Sequence, residues 1–277
     1  MKDSLKVIYM CEFLGVSKSG YYDWCKRQPS AREMEDNELK PLIQKIFDES
    51  EGRYGSPRIH KALKKQGVHI ARKRVERLMR ELQLVARVTR VTYRNAGLRE
   101  FLASGENLKN SMKAPTAIDQ VWVADITYLK VKNRWMYLSV IMDLYSRRII
   151  AWTLARTRTS AVTKKTLQYA IRKRRPKEGL ILHTDRGIEY RSHAYQKMLR
   201  LYGISHSLNR LGHCTDNAHM ESYFHSMKAE LIRGRRYETQ DELRSDLRHY
   251  INHFYNTKRL HSGIGYCSPI EYEQLAA

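Results

Sequence analysis

The sequence predicts an α/β protein, a mixed sheet with helices on both faces, preceded by a basic helical region. Three observations lead there. Through the first third, apolar residues recur at helical spacing among many lysines and arginines. Near residue 118 the character changes to runs rich in β-branched and aromatic residues at 120–129, 135–143 and 149–154. Beyond them, helical patterns alternate with short apolar strands to the C-terminus, the order that covers a sheet on both faces.

The helical region begins with a turn at 14–22 between two short helices. Ser30, with Glu33 three residues later, makes a capping box for the next helix. Ser56 is the expected N-cap of a further helix with Pro57 at its first position. Ile59, Ala62 and Leu63 form its apolar face, and Gly67 ends it. A second helix follows from Arg72, with Val75, Leu78, Met79 and Leu82 on one side. Two short helices joined by a glycine-containing turn read as a helix-turn-helix. The second carries Arg72, Lys73, Arg74 and Arg77, which we take as candidate DNA contacts. A solvated basic face on a helical bundle is the other reading of those four.

In the core, three meandering strands precede a helix at 160–174, a short strand at 180–184, a helix near 192–202 and a strand at 205–208. Asp216 or Asn217 can cap the next helix, which runs to about 232. Thr239 and Glu242 form a capping box for a last long helix, whose Leu243, Leu247, Tyr250, Ile251 and Phe254 share a face. The expected organisation is a helix-turn-helix-type region at 1–87, a linker at 88–117, and a core at 118–277 with a helical C-terminal extension.

Charge narrows the function. The chain of 277 residues holds 51 Lys and Arg against 29 Asp and Glu, a net +22. Such a surplus repels itself in a compact fold unless a polyanion screens it, and nucleic acid does so by releasing counterions. A ribosome-associated or merely solubilised basic protein is the alternative. No apolar run approaches the roughly 20 residues of a membrane span. The N-terminus lacks the apolar block of a signal peptide, so we expect a cytoplasmic, nucleoid-associated protein without membrane contact. Cysteines at 11, 25, 214 and 267 show no Cys-x-x-Cys spacing and read as reduced structural residues.

Three acidic residues sit where chemistry gathers. Asp125 lies inside the first strand, Asp185 ends the fourth, and Glu221 adjoins the apolar stripe Met220, Phe224, Met227 and Leu231 of a helix. Singly, each has an ordinary use: an Asp pairs with a buried Arg or caps a turn, and a helical Glu is solvated. Jointly they bring like charges to one edge of a sheet, where strand ends bind ligands and a cation must neutralise them. Hard divalent ions with oxygen ligands do this, and two-ion sites suit phosphoryl transfer.

The motifs that carry these residues are Val121-Trp122-Val123-Ala124-Asp125-Ile126-Thr127-Tyr128, His183-Thr184-Asp185-Arg186-Gly187 and Asp216-Asn217-Ala218-His219-Met220-Glu221-Ser222. Thirty-five residues separate Asp185 from Glu221, and Lys228 follows Glu221 by two helical turns. With Tyr54-Gly55-Ser56-Pro57-Arg58-Ile59 and the tail Tyr255-Asn256, Arg259, His261-Ser262, Gly265-Tyr266 and Ser268-Pro269, they resemble the catalytic, second-frame subunit of the insertion-sequence-three family over nearly the whole chain. Ile188, Glu189, Leu211 and His213 depart from that pattern without removing an expected ligand.

The resemblance implies a ribonuclease-H-like, integrase-type core. Asp125, Asp185 and Glu221 would be its catalytic and metal-binding triad for two Mg²⁺ or Mn²⁺ ions, and Lys228 a DNA contact. It implies cleavage at transposon ends, 3′-OH strand transfer into target DNA, a homo-oligomer, and a partnership with the upstream-frame product of the same element, fused or separate. A DNA-binding regulator with an inactive core, or a nuclease that cuts without joining, are the competing classes.

Overall fold

The computed structural model describes residues 7–87, 114–209 and 217–276. Most of the expected linker, together with Cys214, Asp216, Leu211 and His213, lies outside them. The chain divides into two compact units, 1–85 and 86–277. Among the described residues no helix is long and apolar enough to cross a membrane.

The first unit is helical: α1 (Val7–Leu14), α2 (Lys18–Lys26), α3 (Ala31–Glu49), α4 (Ser56–Lys65) and α5 (Arg72–Glu81). The capping box of Ser30 and Glu33 forms, each side chain satisfying an amide that the first turn leaves without a helical partner. At α4 the expectation needs correcting. Gly55 is the N-cap and Ser56 already helical, so no side chain caps the start. Ile59, Leu63, Val75 and Leu78 are fully buried, so α4 and α5 are held by their shared apolar seam. Burial of a side chain of that size contributes about 1.5–3 kcal/mol.

The second unit is built on one five-stranded sheet, β1 (Val121–Val131), β2 (Arg134–Asp143), β3 (Ile149–Ala155), β4 (Ile181–Thr184) and β5 (Ser205–Leu208), in the order β3-β2-β1-β4-β5. The meander β1-β2-β3 is antiparallel, while β1-β4 and β4-β5 are parallel. This is the ribonuclease-H-like mixed sheet. Parallel neighbours need crossovers, supplied by α6 (Ser160–Arg174) and by α7 (Ile188–Arg191) with α8 (His193–Leu201). Trp122, Ala124, Ile141, Leu167, Leu182 and Tyr195 join in the core between sheet and helices.

α9 (Ala218–Met227) continues into a π-helical segment, Lys228–Ile232. Asn217 is its N-cap residue but makes no capping bond. Its amide reaches instead to the carbonyl of Ala124, 3.5 Å away on β1, tying the start of the helix to the sheet. α10 (Gln240–Arg248) runs into a second π-helical stretch, His249–Tyr255. Thr239 accepts the Glu242 N–H, but the Glu242 carboxylate returns to the N–H of Glu238 and not of Thr239, so the expected box is half formed. Leu243, Leu247, Tyr250, Ile251 and Phe254 are all buried, as the periodicity predicts.

The C-terminal motif has a structural use. Asn256 donates to the carbonyl of Ile149 at 3.0 Å and accepts its N–H at 2.9 Å, occupying both backbone groups of that residue at the start of β3. Arg259 pairs with buried Glu230 at 2.7 Å, and Tyr250 donates to the same carboxylate at 2.8 Å. α11 (Pro269–Leu275) brings Glu273 to Arg148, Arg174 and Ser146.

Candidate active site

β1 is long because Thr, Val, Ile and Tyr suit a pleated surface, but β4 pairs with only its first four residues. The last paired step is Ala124 with Thr184. The next residue on each strand is an aspartate, so Asp125 and Asp185 emerge side by side where the parallel pairing stops. Both are half-buried. Burial, and then the charge of Asp185, push the Asp125 carboxyl up to about 7, with a further push from Glu221. Burial raises Asp185 as well, opposed by the Gly187 N–H and by Arg158. Opposing effects on Asp125 are the Ile126 N–H, 2.7 Å from its Oδ1, and again Arg158.

The turn after Asp185 requires a glycine for space. A Cβ on Gly187 would meet Glu189 Oε2 at 2.5 Å and Asp185 Oδ1 at 2.9 Å. Asp185 Oδ1 accepts the Gly187 N–H at 2.9 Å. Behind the strand end runs a fixed hydrogen-bond chain. The Gln196 amide donates to His206 Nδ1 at 2.8 Å, so the ring proton sits on Nε2 and is directed to Thr184 Oγ1 at 3.0 Å. The Thr184 hydroxyl then donates to the carbonyl of Asp185 at 2.7 Å. Burial holds His206 down at about 4, keeping the ring neutral.

Glu221 lies on the first turn of α9 and is exposed. Its charge reaches Asp125, but among the described residues no three His, Cys, Asp or Glu side chains stand close enough to hold one ion as they are. The structure thus brings two of the three expected ligands together and leaves the third further out. The donor set still suits a hard divalent cation: two half-buried carboxylates meet at one strand end, and burial with the neighbouring charges holds Asp125 at about 7. Asp143, another strand aspartate, is already satisfied by the N–H groups of Asp119, Tyr145 and Ser146 and serves the turn after β2.

Lys228 stands over the ring of Tyr128, its Nζ 4.7 Å from the centroid, and is half-buried. Burial lowers its pKa against the attraction of Asp125. Its ammonium therefore stands within reach of the Asp125 charge.

Sequence reasoning missed Arg158 and Glu189. Arg158 Nε lies 2.6 Å from Glu189 Oε1, the Glu189 side chain is 6% exposed, and both charges act on Asp185. Glu189 is visible in the sequence only as a departure from the family pattern, and Arg158 sits in a loop with no spacing to any motif.

The four candidate DNA contacts of α5 divide. Arg72 and Lys73 are exposed. Arg74 turns to Asp36 at 2.8 Å and Glu35 at 2.7 Å, and Arg77 to Asp36 at 2.6 Å and Glu81 at 2.5 Å. Arg77, with Arg74, holds Asp36 below the usual carboxylate range. These two arginines fasten α5 to α3, while Arg72 and Lys73 stay open to solvent. A lysine or arginine beside apolar stripe residues at helical spacing carries no mark of the acid it will meet 38 residues away.

Comparison with known proteins agrees with this architecture. Residues 34–91 match the model of an HTH-like domain, and residues 115–214 and 221–276 match two models described as integrase core domains. The chain is 38% identical to the insertion element IS600 31 kDa protein of Shigella sonnei, over 97% of this chain and all of that one. It is 35% identical to the transposase InsF of insertion sequence IS3A of Escherichia coli, over 95% of this chain and 92% of that one. A solved structure of the HTLV-2 integrase catalytic core domain with magnesium covers 57% of this chain and 97% of its own, at 19% identity and a TM-score of 0.39.

Proposed function

Because the chain belongs to the insertion-sequence-three family of transposases, we propose that it is the catalytic, second-frame subunit of its element, cutting DNA at the element's ends to free a 3′-OH and joining that hydroxyl to a second phosphodiester. The observation that carries the reading is the half-buried pair Asp125 and Asp185 just past the last step of the parallel pairing, with Asp125 raised to about 7. Those two carboxylates, with Glu221 on the first turn of α9, would hold two Mg²⁺ or Mn²⁺ ions. When bound, such ions activate the attacking hydroxyl and stabilise the leaving oxygen of an in-line displacement. Lys228 supplies a positive charge to the phosphate nearest the carboxylates. Arg158, held by Glu189, balances negative charge around Asp185.

The basic helical unit holds DNA through Arg72 and Lys73. Phosphate contacts fix position but carry no sequence information. End recognition then comes from the upstream-frame product of the element, fused or separate, and two or more copies bring two ends together in the nucleoid. The test of function uses a duplex ending in the element's terminus, a supercoiled target and Mg²⁺. Joined product is the expected result. Cutting without joining would mean a simple nuclease, and binding without cutting a regulator. The test of partnership compares terminal and random duplexes of equal length at physiological salt. The isolated chain should show little preference, and a ratio of about 1,000 or more would show that it recognises ends alone.

A further inference from the structure

Beyond Ala124, where β4 stops, β1 pairs with β2 alone, and past Tyr128 and Tyr137, where β3 also ends, the two continue as a two-stranded ribbon. One face of the ribbon is core: Leu129, Val131, Met136 and Leu138 are buried. The other carries Tyr128 and Trp135, 58% and 52% exposed. They are diagonal neighbours on this face, since Tyr128 opposes Tyr137 and Trp135 opposes Lys130. Their rings meet at 88° with centroids 5.0 Å apart. Whichever ring supplies the edge, Trp135 keeps at least one indole face clear of Tyr128, and the contact holds that face rigid.

The surroundings are cationic. Lys130 lies directly across from Trp135 on the same face and is exposed, while Arg134, which opposes Val131, belongs to the other face. Lys228 places its ammonium on Tyr128. The acid that meets the ribbon's tip, Glu238, is paired with Lys132 at 3.1 Å. The position is also close to the chemistry. Tyr128 is three residues beyond Asp125 on one strand, about 10 Å at strand rise and on the alternate face, and Lys228 links the two, standing on the Tyr128 ring while attracted by Asp125. An open aromatic face ringed by positive charge complements a polyanion that presents flat π-systems of its own, and an unpaired nucleotide strand is that ligand.

We propose that the Tyr128–Trp135 corner is a stacking platform for an unpaired DNA base a few nucleotides from the scissile phosphate, with Lys130 taking a flanking phosphate. The proposal rests on DNA being the substrate. It gives the ribbon a task separate from metal binding: holding the end of the strand splayed while the carboxylates act on its neighbour.

The experiment measures affinity of the full chain in EDTA, so that no chemistry intervenes. The probes are a blunt duplex, the same duplex with a short single-stranded tail, and one whose tail is abasic. The tailed duplex should bind about tenfold tighter than the abasic one, which has the same phosphates and no bases to stack. Trp135→Ala should abolish that ratio and leave blunt-duplex affinity unchanged. Trp135→Phe should keep the ratio and lose the quenching of tryptophan emission that the base-bearing tail causes. A ratio near one in the wild type, or a ratio that Trp135→Ala leaves intact, overturns the proposal. If even the blunt duplex fails to bind, the DNA reading beneath it falls too.

Discussion

Ala124 and Thr184 are the last residues paired between β1 and β4, and each is followed by an aspartate that then has no strand partner on that side. The sheet therefore sets the spacing of the two carboxylates, and the motif residues around them set their surroundings. Val123 and Leu182 fill the interior beneath, Gly187 leaves room above, and Thr184 is fixed by His206.

The half-buried pair has a consequence for stability. Asp125 titrates at about 7 in the fold against 3.8 in a free chain, so the folded state binds the extra proton between those values. Ionising Asp125 thus costs stability, beginning near pH 4 and complete above pH 7. In EDTA, Asp125→Asn should melt at a higher temperature than wild type at pH 8, by several degrees, and the gap should shrink steadily toward pH 4. Mg²⁺ should close the gap at pH 8 by stabilising only the wild type. A gap independent of pH would mean that Asp125 is not held by burial and its neighbours as described.

The division of α5 predicts two different phenotypes. Neutralising Arg72 and Lys73 should lower the slope of log K against log salt by about 0.9 for each phosphate left without its cation, with the helical unit's melting unchanged. Arg74→Ala or Arg77→Ala should lower the melting temperature of that unit, because Asp36 is deprived of a partner. Equal salt slopes in wild type and the Arg72, Lys73 double variant would show that α5 does not lie on DNA.

Asn256 offers a test far from the carboxylates. Its amide occupies both backbone groups of Ile149, and Asn256→Ala leaves them buried without partners, at a cost of about 2–4 kcal/mol. Urea unfolding should show the loss in the core. DNA affinity measured at low temperature, where the core stays folded, should hold. Stability within error of wild type would mean that water replaces the amide.

What is legible in the sequence follows from range. Strands, apolar helix faces and the Ser30 box depend on residues within one element, and they are found where the pattern puts them. Asp125, Asp185 and Glu221 are legible as motifs with a spacing. Their present arrangement is not, since it depends on β4 ending at Thr184 and on how far Glu221 projects from α9. Interactions across the chain leave no periodic trace. Arg74 with Asp36, Arg158 with Glu189 and Asn256 with Ile149 each join segments whose meeting only the fold decides. The sequence offers Asn217 as a cap for its own helix, but the nearby Ala124 carbonyl takes its amide instead.

The most direct test of the central claim is a strand-transfer assay with Glu221→Gln beside wild type, on duplexes carrying the element's ends, with Mg²⁺ and the upstream-frame product present. Glutamine keeps the size and the exposed position and removes only the charge that completes the carboxylate triad. The account predicts joined product from the wild type, none in EDTA, and at least a hundredfold less from Glu221→Gln at undiminished DNA binding, with Asp125→Asn and Asp185→Asn behaving alike. Wild-type joining by Glu221→Gln, or joining that survives EDTA, would contradict it.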